Sequence, residues 1–140
     1  FLSQPIYHRC SFSIIHSGVA EMSELSAVKS ALDQIGAMEH ITDAALISRG
    51  GMFVVGRTPA ETHRETFSAM CAIILGAGQT VTTDMRDRME RVKIMMGDKD
   101  LILIGTGPKY LLAVTADRHA DEGRLDQEAR ALTNRIGNML

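Results

Sequence analysis

The residues that could do chemistry are few, and their spacing argues against each obvious use. The stretch Ala72-Ile-Ile-Leu-Gly-Ala-Gly-Gln-Thr80 reads at first like the strand and glycine turn of a dinucleotide-binding fold. Val81 stands where the third glycine belongs, however, and no βαβ unit of the required length begins there. In Ile104-Gly105-Thr106-Gly107-Pro108 the third-glycine position is Tyr110, so a turn between strands is the better account. Neither stretch ends in Gly-Lys-Ser/Thr, which leaves no lysine to hold phosphates. His8, His16, His40, His63 and His119 never fall at metal-ligand spacing with each other or with Cys10 and Cys71. No Gly-x-Ser-x-Gly elbow and no Cys–His pairing with a third member is present. Arg86, Arg88, Arg91 and Lys93 are interleaved with Asp87 and Glu90, the pattern of a solvated loop and edge strand with a lesser claim on an acidic partner. The sequence therefore names no catalytic residue, no metal ligand and no cofactor.

The elements that would carry a function are organised around Thr58–Met85. Thr58 is the expected N-cap and Pro59 the first helical residue, with Glu61 completing a capping box. Phe67, Met70, Cys71, Ile74, Val81 and Met85 recur at helical spacing, and Ala69, Ala72, Ile73 and Gly76 mark a second face. A helix apolar on two faces needs a sheet on one side and a further surface on the other. Gly76 and Gly78, each costing about 1 kcal/mol relative to alanine in a helix, imply close approach of a neighbour. Before this helix, Leu25, Val28, Leu32 and Ile35 predict an amphipathic helix over 23–38, and Thr42–Ser48 and Met52–Gly56 flank a Gly-Gly turn as a β-hairpin. After it, 90–96, 100–104 and 110–115 read as short strands. Leu125, Ala129, Leu132, Ile136 and Met139 form the stripe of a last helix. The order α-β-β-α-β-β-β-α, with short connections, predicts an antiparallel meander of five strands with helices on its faces.

Composition bounds the class. The 140 residues suit one domain, and 45% hydrophobic content excludes disorder. A net charge of −2 gives no argument for nucleic acid. The uncharged run Ala69–Ala77 falls short of the ~20 residues of a membrane span, so no direct membrane insertion is expected. Two cysteines, one mid-helix, point to a reduced, cytoplasmic setting. Residues 1–21 look unlike the rest and are read as an extension ahead of a domain over 22–140, with Met22 resembling a natural start.

Ile47-Ser48-Arg49-Gly50-Gly51, Glu65-Thr66-Phe67-Ser68-Ala69-Met70 and Leu75-Gly76-Ala77-Gly78, set within this element order, resemble the roadblock/LC7 family, most of all its archaeal and bacterial branch. Arg91-Val92, Leu101–Gly105 and Tyr110–Thr115 are similar to the family's last three strands. The resemblance covers about 22–140 and implies an α+β, profilin-like fold with a five-stranded antiparallel sheet and helices on both faces. It also implies a homodimer in which the second helices pack antiparallel and the third strands join two sheets into one. The family's members regulate or carry Ras-like small GTPases, serve as dynein light chains, or scaffold lysosomal signalling complexes, and its bacterial branch acts on a gliding-motility GTPase. The expected departures are the N-terminal extension and the lack of a C-terminal partner-binding tail.

On this basis the expected dimer interface is Ala69, Ala72, Ile73, Gly76, Val92 and Ile94, and the expected partner-binding residues are Thr62, His63, Thr66 and Phe67. The leading reading is a non-enzymatic homodimeric regulator or adaptor that binds a Ras-like small GTPase and modulates its nucleotide cycle, the role of a GTPase-activating protein being one form of this. A second is a scaffold subunit without effect on GTPase rate. A third is a small nucleotide- or ligand-binding domain using Gly76–Thr80.

Overall fold

Val28, Ala31, Leu32 and Ile35 recur at steps of three and four, and residues 25–36 accordingly wind into helix α1 with that stripe buried and Leu25 left exposed. The computed structural model describes residues 25–137, so the expected extension at 1–21, the start at Met22 and the final stripe residue Met139 lie outside the described residues. The chain continues through β1 (Ile41–Ser48), β2 (Phe53–Gly56), α2 (Arg64–Asp84), β3 (Val92–Met95), β4 (Lys99–Gly105), β5 (Tyr110–Asp117) and α3 (Glu122–Gly137).

The strands form one antiparallel sheet in the order β2-β1-β5-β4-β3. This corrects the expected meander. The first strand lies beside the fifth, and the second and third strands are the two edges. A helix of 21 residues is ~30 Å long, whereas five strands at about 4.8 Å spacing span only ~19 Å. Helix α2 is therefore long enough to carry the chain from one edge of the sheet to the other, a connection a short loop could not make.

Both faces of the sheet are covered, which is why β1 and β5 read as continuous apolar runs rather than alternating ones. Ala44, Leu46, Leu112, Val114, Ile102 and Ile104 meet α1 and α3 on one face, joined there by Leu125, Leu132 and Ile136. Ala45, Ile47, Leu103, Leu111 and Ala113 meet Cys71 and Leu75 of α2 on the other. One-residue alternation along each strand thus feeds two separate cores.

The start of α2 also differs from expectation. Thr58 does not cap the helix. Residues 59–62 form a turn in which the Thr62 hydroxyl donates to the Pro59 carbonyl at 2.8 Å, and α2 begins at Arg64 with His63 as an extended N-cap that makes no side-chain cap bond. Two tertiary contacts compete with the capping box: Pro59 is buried, and Glu61 reaches Lys99 at 3.5 Å instead of turning back to the cap.

Gly56 ends β2 at φ +112°, and a Cβ there would meet the Ala44 carbonyl and lie 2.6 Å from Leu32 Cδ2. Left-handed backbone and a backbone clash act together at this position. We expect Gly56→Ala to lower unfolding free energy by about 3 kcal/mol, read as an earlier urea midpoint. An unchanged midpoint would refute the packing described around β2.

Candidate interaction surface

The second helix turns both of its apolar faces to use, and the structure assigns each residue to a side. At 100° per residue, Ser68, Cys71 and Leu75 fall inward and are buried on the sheet. Gly78 follows on the same side, where a Cβ would lie 2.6 Å from Met89 Sδ and 3.3 Å from Val92. The close approach expected of the helix glycines is therefore real at Gly78. At Gly76 a Cβ would meet nothing within 4 Å, so that glycine faces open space. On the outward side Met70, Ile73, Ala77, Val81 and Met85 run at steps of three and four, with Ile73 60% and Met85 71% exposed. Exposure of this many large apolar groups in one line marks an interaction surface rather than ordinary surface scatter.

The expected grouping of these residues was mixed. Met70, Val81 and Met85, expected on one face with Cys71, lie opposite it. Of the residues expected at a dimer seam, Ile73 and Gly76 share the outward face. Ala69 and Ala72 instead turn toward the β1–β2 hairpin, where a Cβ on Gly51 would sit 3.1 Å from Ala69 Cα and 3.8 Å from Ala72 Cβ. Val92 is half-buried against the α2 core, and half-buried Ile94 is its same-face neighbour along β3. Thr62, His63 and Thr66 are exposed around the start of α2, while Phe67 packs against the α2 core. The hydropathic pattern could not separate these cases because small and large apolar residues occupy every side of the helix.

By length and composition α2, most of which is not buried inside the domain, is also, among the described residues, the one helix apolar enough to cross a membrane. The uncharged run counted from sequence understated this because threonines and glycines extend it. Its inward residues, seated on the sheet, make it an integral layer of the domain.

Beside the stripe lies β3, an edge strand that pairs only with β4 among the described residues. Its opposite face is clamped to α3. Arg91 pairs with Glu122 and Asp126, and Lys93 Nζ donates to Glu122 at 2.7 Å, with Asp100 3.6 Å away. The hydrogen bond to Glu122 raises the Lys93 pKa. Two of the four cations read as a solvated cluster are thus occupied within the domain. In the same C-terminal half of α2, Arg49 reaches from the hairpin to Gln79 (2.7 Å), the Tyr110 carbonyl and the Gly107 carbonyl. Gly105 makes room for it, since a Cβ there would lie 2.6 Å from the guanidinium. Arg49 is a residue that sequence reasoning passed over, and its place in Ser48-Arg49-Gly50-Gly51 was the only signal available.

Burial pushes the Cys71 thiol up to about 11, which keeps it protonated and unreactive at neutral pH. Gly76–Thr80 lie inside the continuous α2, so their N–H groups serve the helix and form no phosphate cradle. Among the described residues no His, Cys, Asp or Glu group is arranged to hold a metal ion.

A five-stranded antiparallel sheet has one helix on one face and two on the other, and the lone helix carries an outward apolar stripe that nothing covers among the described residues. The chain belongs to the roadblock/LC7 domain family, whose model matches residues 28–116. Comparison with curated protein sequences finds no match. Among solved structures it is similar to a roadblock/LC7 domain from Streptomyces avermitilis (TM-score 0.68, 20% identity, covering 79% of this chain and 94% of that one). MglB of Myxococcus xanthus matches with TM-score 0.73 at 12% identity over 82% of this chain and 91% of that one. An MglB structure with a tetrameric arrangement gives 0.70 at 18% identity, over 84% and 93%. Profilin II of Acanthamoeba castellanii matches at 0.52 and 14% identity, over 80% and 98%, which places the sheet and helices in the profilin-like architecture.

Acid should weaken this fold in part through Asp117. Its carboxylate accepts from His40 Nδ1 at 2.8 Å and from the His119 backbone N–H at 2.8 Å, and these bonds hold its pKa below the usual carboxylate range. A lowered folded pKa means the ionised form stabilises the fold. That contribution is complete above the unfolded value of about 4 and is lost as pH falls through the folded one. Asp117→Asn should therefore be less stable than the parent chain at neutral pH, and the gap should narrow below about pH 4. Urea midpoints across pH check this, and a gap independent of pH would refute it.

Proposed function

We propose that the chain is a non-enzymatic, homodimeric adaptor that binds a Ras-like small GTPase and modulates its nucleotide cycle. The observation that carries this reading is the outward stripe of α2, Met70, Ile73, Ala77, Val81 and Met85, lying beside the open edge strand β3. A second copy related by a two-fold axis would bring the same stripe against itself and set β3 beside its twin, covering apolar surface and an exposed strand edge in one step. The small residues Gly76 and Ala77 would let two such helices come close. Family membership supports the GTPase partner, since the resemblance drawn from the sequence implies regulators and platforms of such enzymes. The exposed Thr62, His63 and Thr66 at the entry to α2 are proposed partner contacts, and the reading goes with a cytoplasmic location.

A scaffold with no effect on turnover uses the same surface and is the second reading. Partner capture from the source organism, followed by GTP turnover of the captured GTPase with and without this protein, separates the two. A changed rate supports modulation, and binding at an unchanged rate supports the scaffold.

The dimer itself is tested by light scattering. The parent chain should be dimeric at micromolar concentration, and a monomer would overturn the reading. Gly76→Arg and Val81→Glu project from the outward face and should weaken self-association at least about tenfold, a loss of ~1.4 kcal/mol. Gly76→Arg is the cleaner probe. Ala72→Arg would instead disturb the hairpin at Gly51.

A further inference from the structure

At the sheet edge opposite β3, a groove of about 600 Å³ opens between α1 and β2. Short residues make it. Gly36 at the end of α1 and Ala37 just after it stand across from Ala44 on β1, and a Cβ on Gly36 would meet only Ala44 Cβ, at 3.9 Å. Beneath them Leu32 is fully buried and Val55 packs on the same core, so the floor is apolar. Along one wall runs β2, the last strand in the sheet order, which hydrogen-bonds to β1 on one side only among the described residues and exposes Val54 on the groove.

The rim is basic. Lys29, Arg57 and Arg64 surround the groove, against one lining carboxylate, Asp33, and a second on β1, Asp43, that pairs with Arg57. The chain as a whole carries net charge −2, so this excess of cations is local and runs against the average. Two of the three are held in place. Arg57 donates to Asp43 at 3.0 Å and to the Thr42 carbonyl at 2.6 Å, and the Arg64 guanidinium lies 4.4 Å above the Phe53 ring. Both retain N–H donors beyond those contacts, because a guanidinium carries five. Positioned arginines suit carboxylates better than a free cation does, since less side-chain entropy is lost on binding.

We propose that this groove binds an extended, acidic segment of a partner protein, laid along β2 with its carboxylates on Lys29, Arg57 and Arg64 and one apolar side chain over Leu32 and Ala44. An open strand edge offers backbone groups to such a segment, and the floor and rim select its side chains. The groove lies at the far edge of the sheet from β3, and its rim residue Arg64 adjoins Thr62, His63 and Thr66 at the start of α2. A dimer joined through β3 would present two such grooves at its ends.

The test uses the full chain and a fluorescein-labelled peptide of alternating Glu and Val, about eight residues long to match a strand. A Lys–Val peptide of the same length is the control. Fluorescence anisotropy should show binding of the Glu–Val peptide only, weakening as ionic strength rises from about 0.05 to 0.5 M. Lys29→Glu, an exposed change on α1, should weaken binding about tenfold. Gly36→Leu, which fills the groove, should do at least the same, while Arg130→Glu on α3 should leave it unchanged. Thermal melts of each variant confirm that it is folded. No binding, equal binding of the two peptides, or affinity unaffected by both groove variants would overturn the proposal. None of these outcomes depends on the oligomeric state or on a GTPase.

Discussion

The seating of α2 on the sheet through Ser68, Cys71, Leu75 and Gly78 is the contact on which the rest of the structure depends. It buries the face of β1, β4 and β5 that α1 and α3 leave open, and it fixes the helix rotation. Once those four positions face inward, the 100° step per residue obliges Met70, Ile73, Ala77 and Val81 to face outward. The apolar stripe is thus a consequence of how the core is closed. Replacing Leu75, wholly buried over Leu103 and Leu111, would disturb both the core and the presentation of the outer face.

Smaller residues and ion pairs hold the helix at its ends. Near its start, Gly51 takes a left-handed turn under Ala69 and Ala72, so the hairpin tip lies against the helix with no side chain between. Near its finish, Gly78 accepts Met89 and Val92, which brings the connection to β3 across the helix. Arg49 ties the hairpin, the β4–β5 turn and Gln79 together through carbonyl and amide acceptors. On the other face, the pairs of Arg91 and Lys93 with Glu122 and Asp126 keep edge strand β3 against α3. These pairs are partly exposed and worth little as stability. Their effect is to leave the strand's outer edge oriented and available.

The two edges of the sheet are consequently unlike each other. The β3 edge adjoins an apolar helix face without charge of its own. The β2 edge adjoins a groove with an apolar floor and a cationic rim. Such a division suits the module proposed above, which would assemble through one side and recruit through the other.

Much of this was legible in the residues. Periodicities of two and three-to-four gave the element order, the Gly-Gly hairpin and the two-faced character of α2, because those signals are local and repeat within a few residues. The failed glycine fingerprints were equally local, and they correctly read as helix and turn. What sequence could not settle was which apolar face of α2 met the sheet, since Cys71 and Leu75 are no more apolar than Ile73 and Val81. The strand order was likewise beyond it, because β1 pairs with β5 across more than sixty residues of chain. The helix start moved from Thr58 to Arg64 when burial of Pro59 and the Glu61–Lys99 contact outweighed a capping box. The sequence by itself determined that a helix with two apolar faces exists, because that pattern repeats within a few residues. Only the tertiary structure decided which face is free, because that choice rests on the fit of side chains brought together from distant parts of the chain.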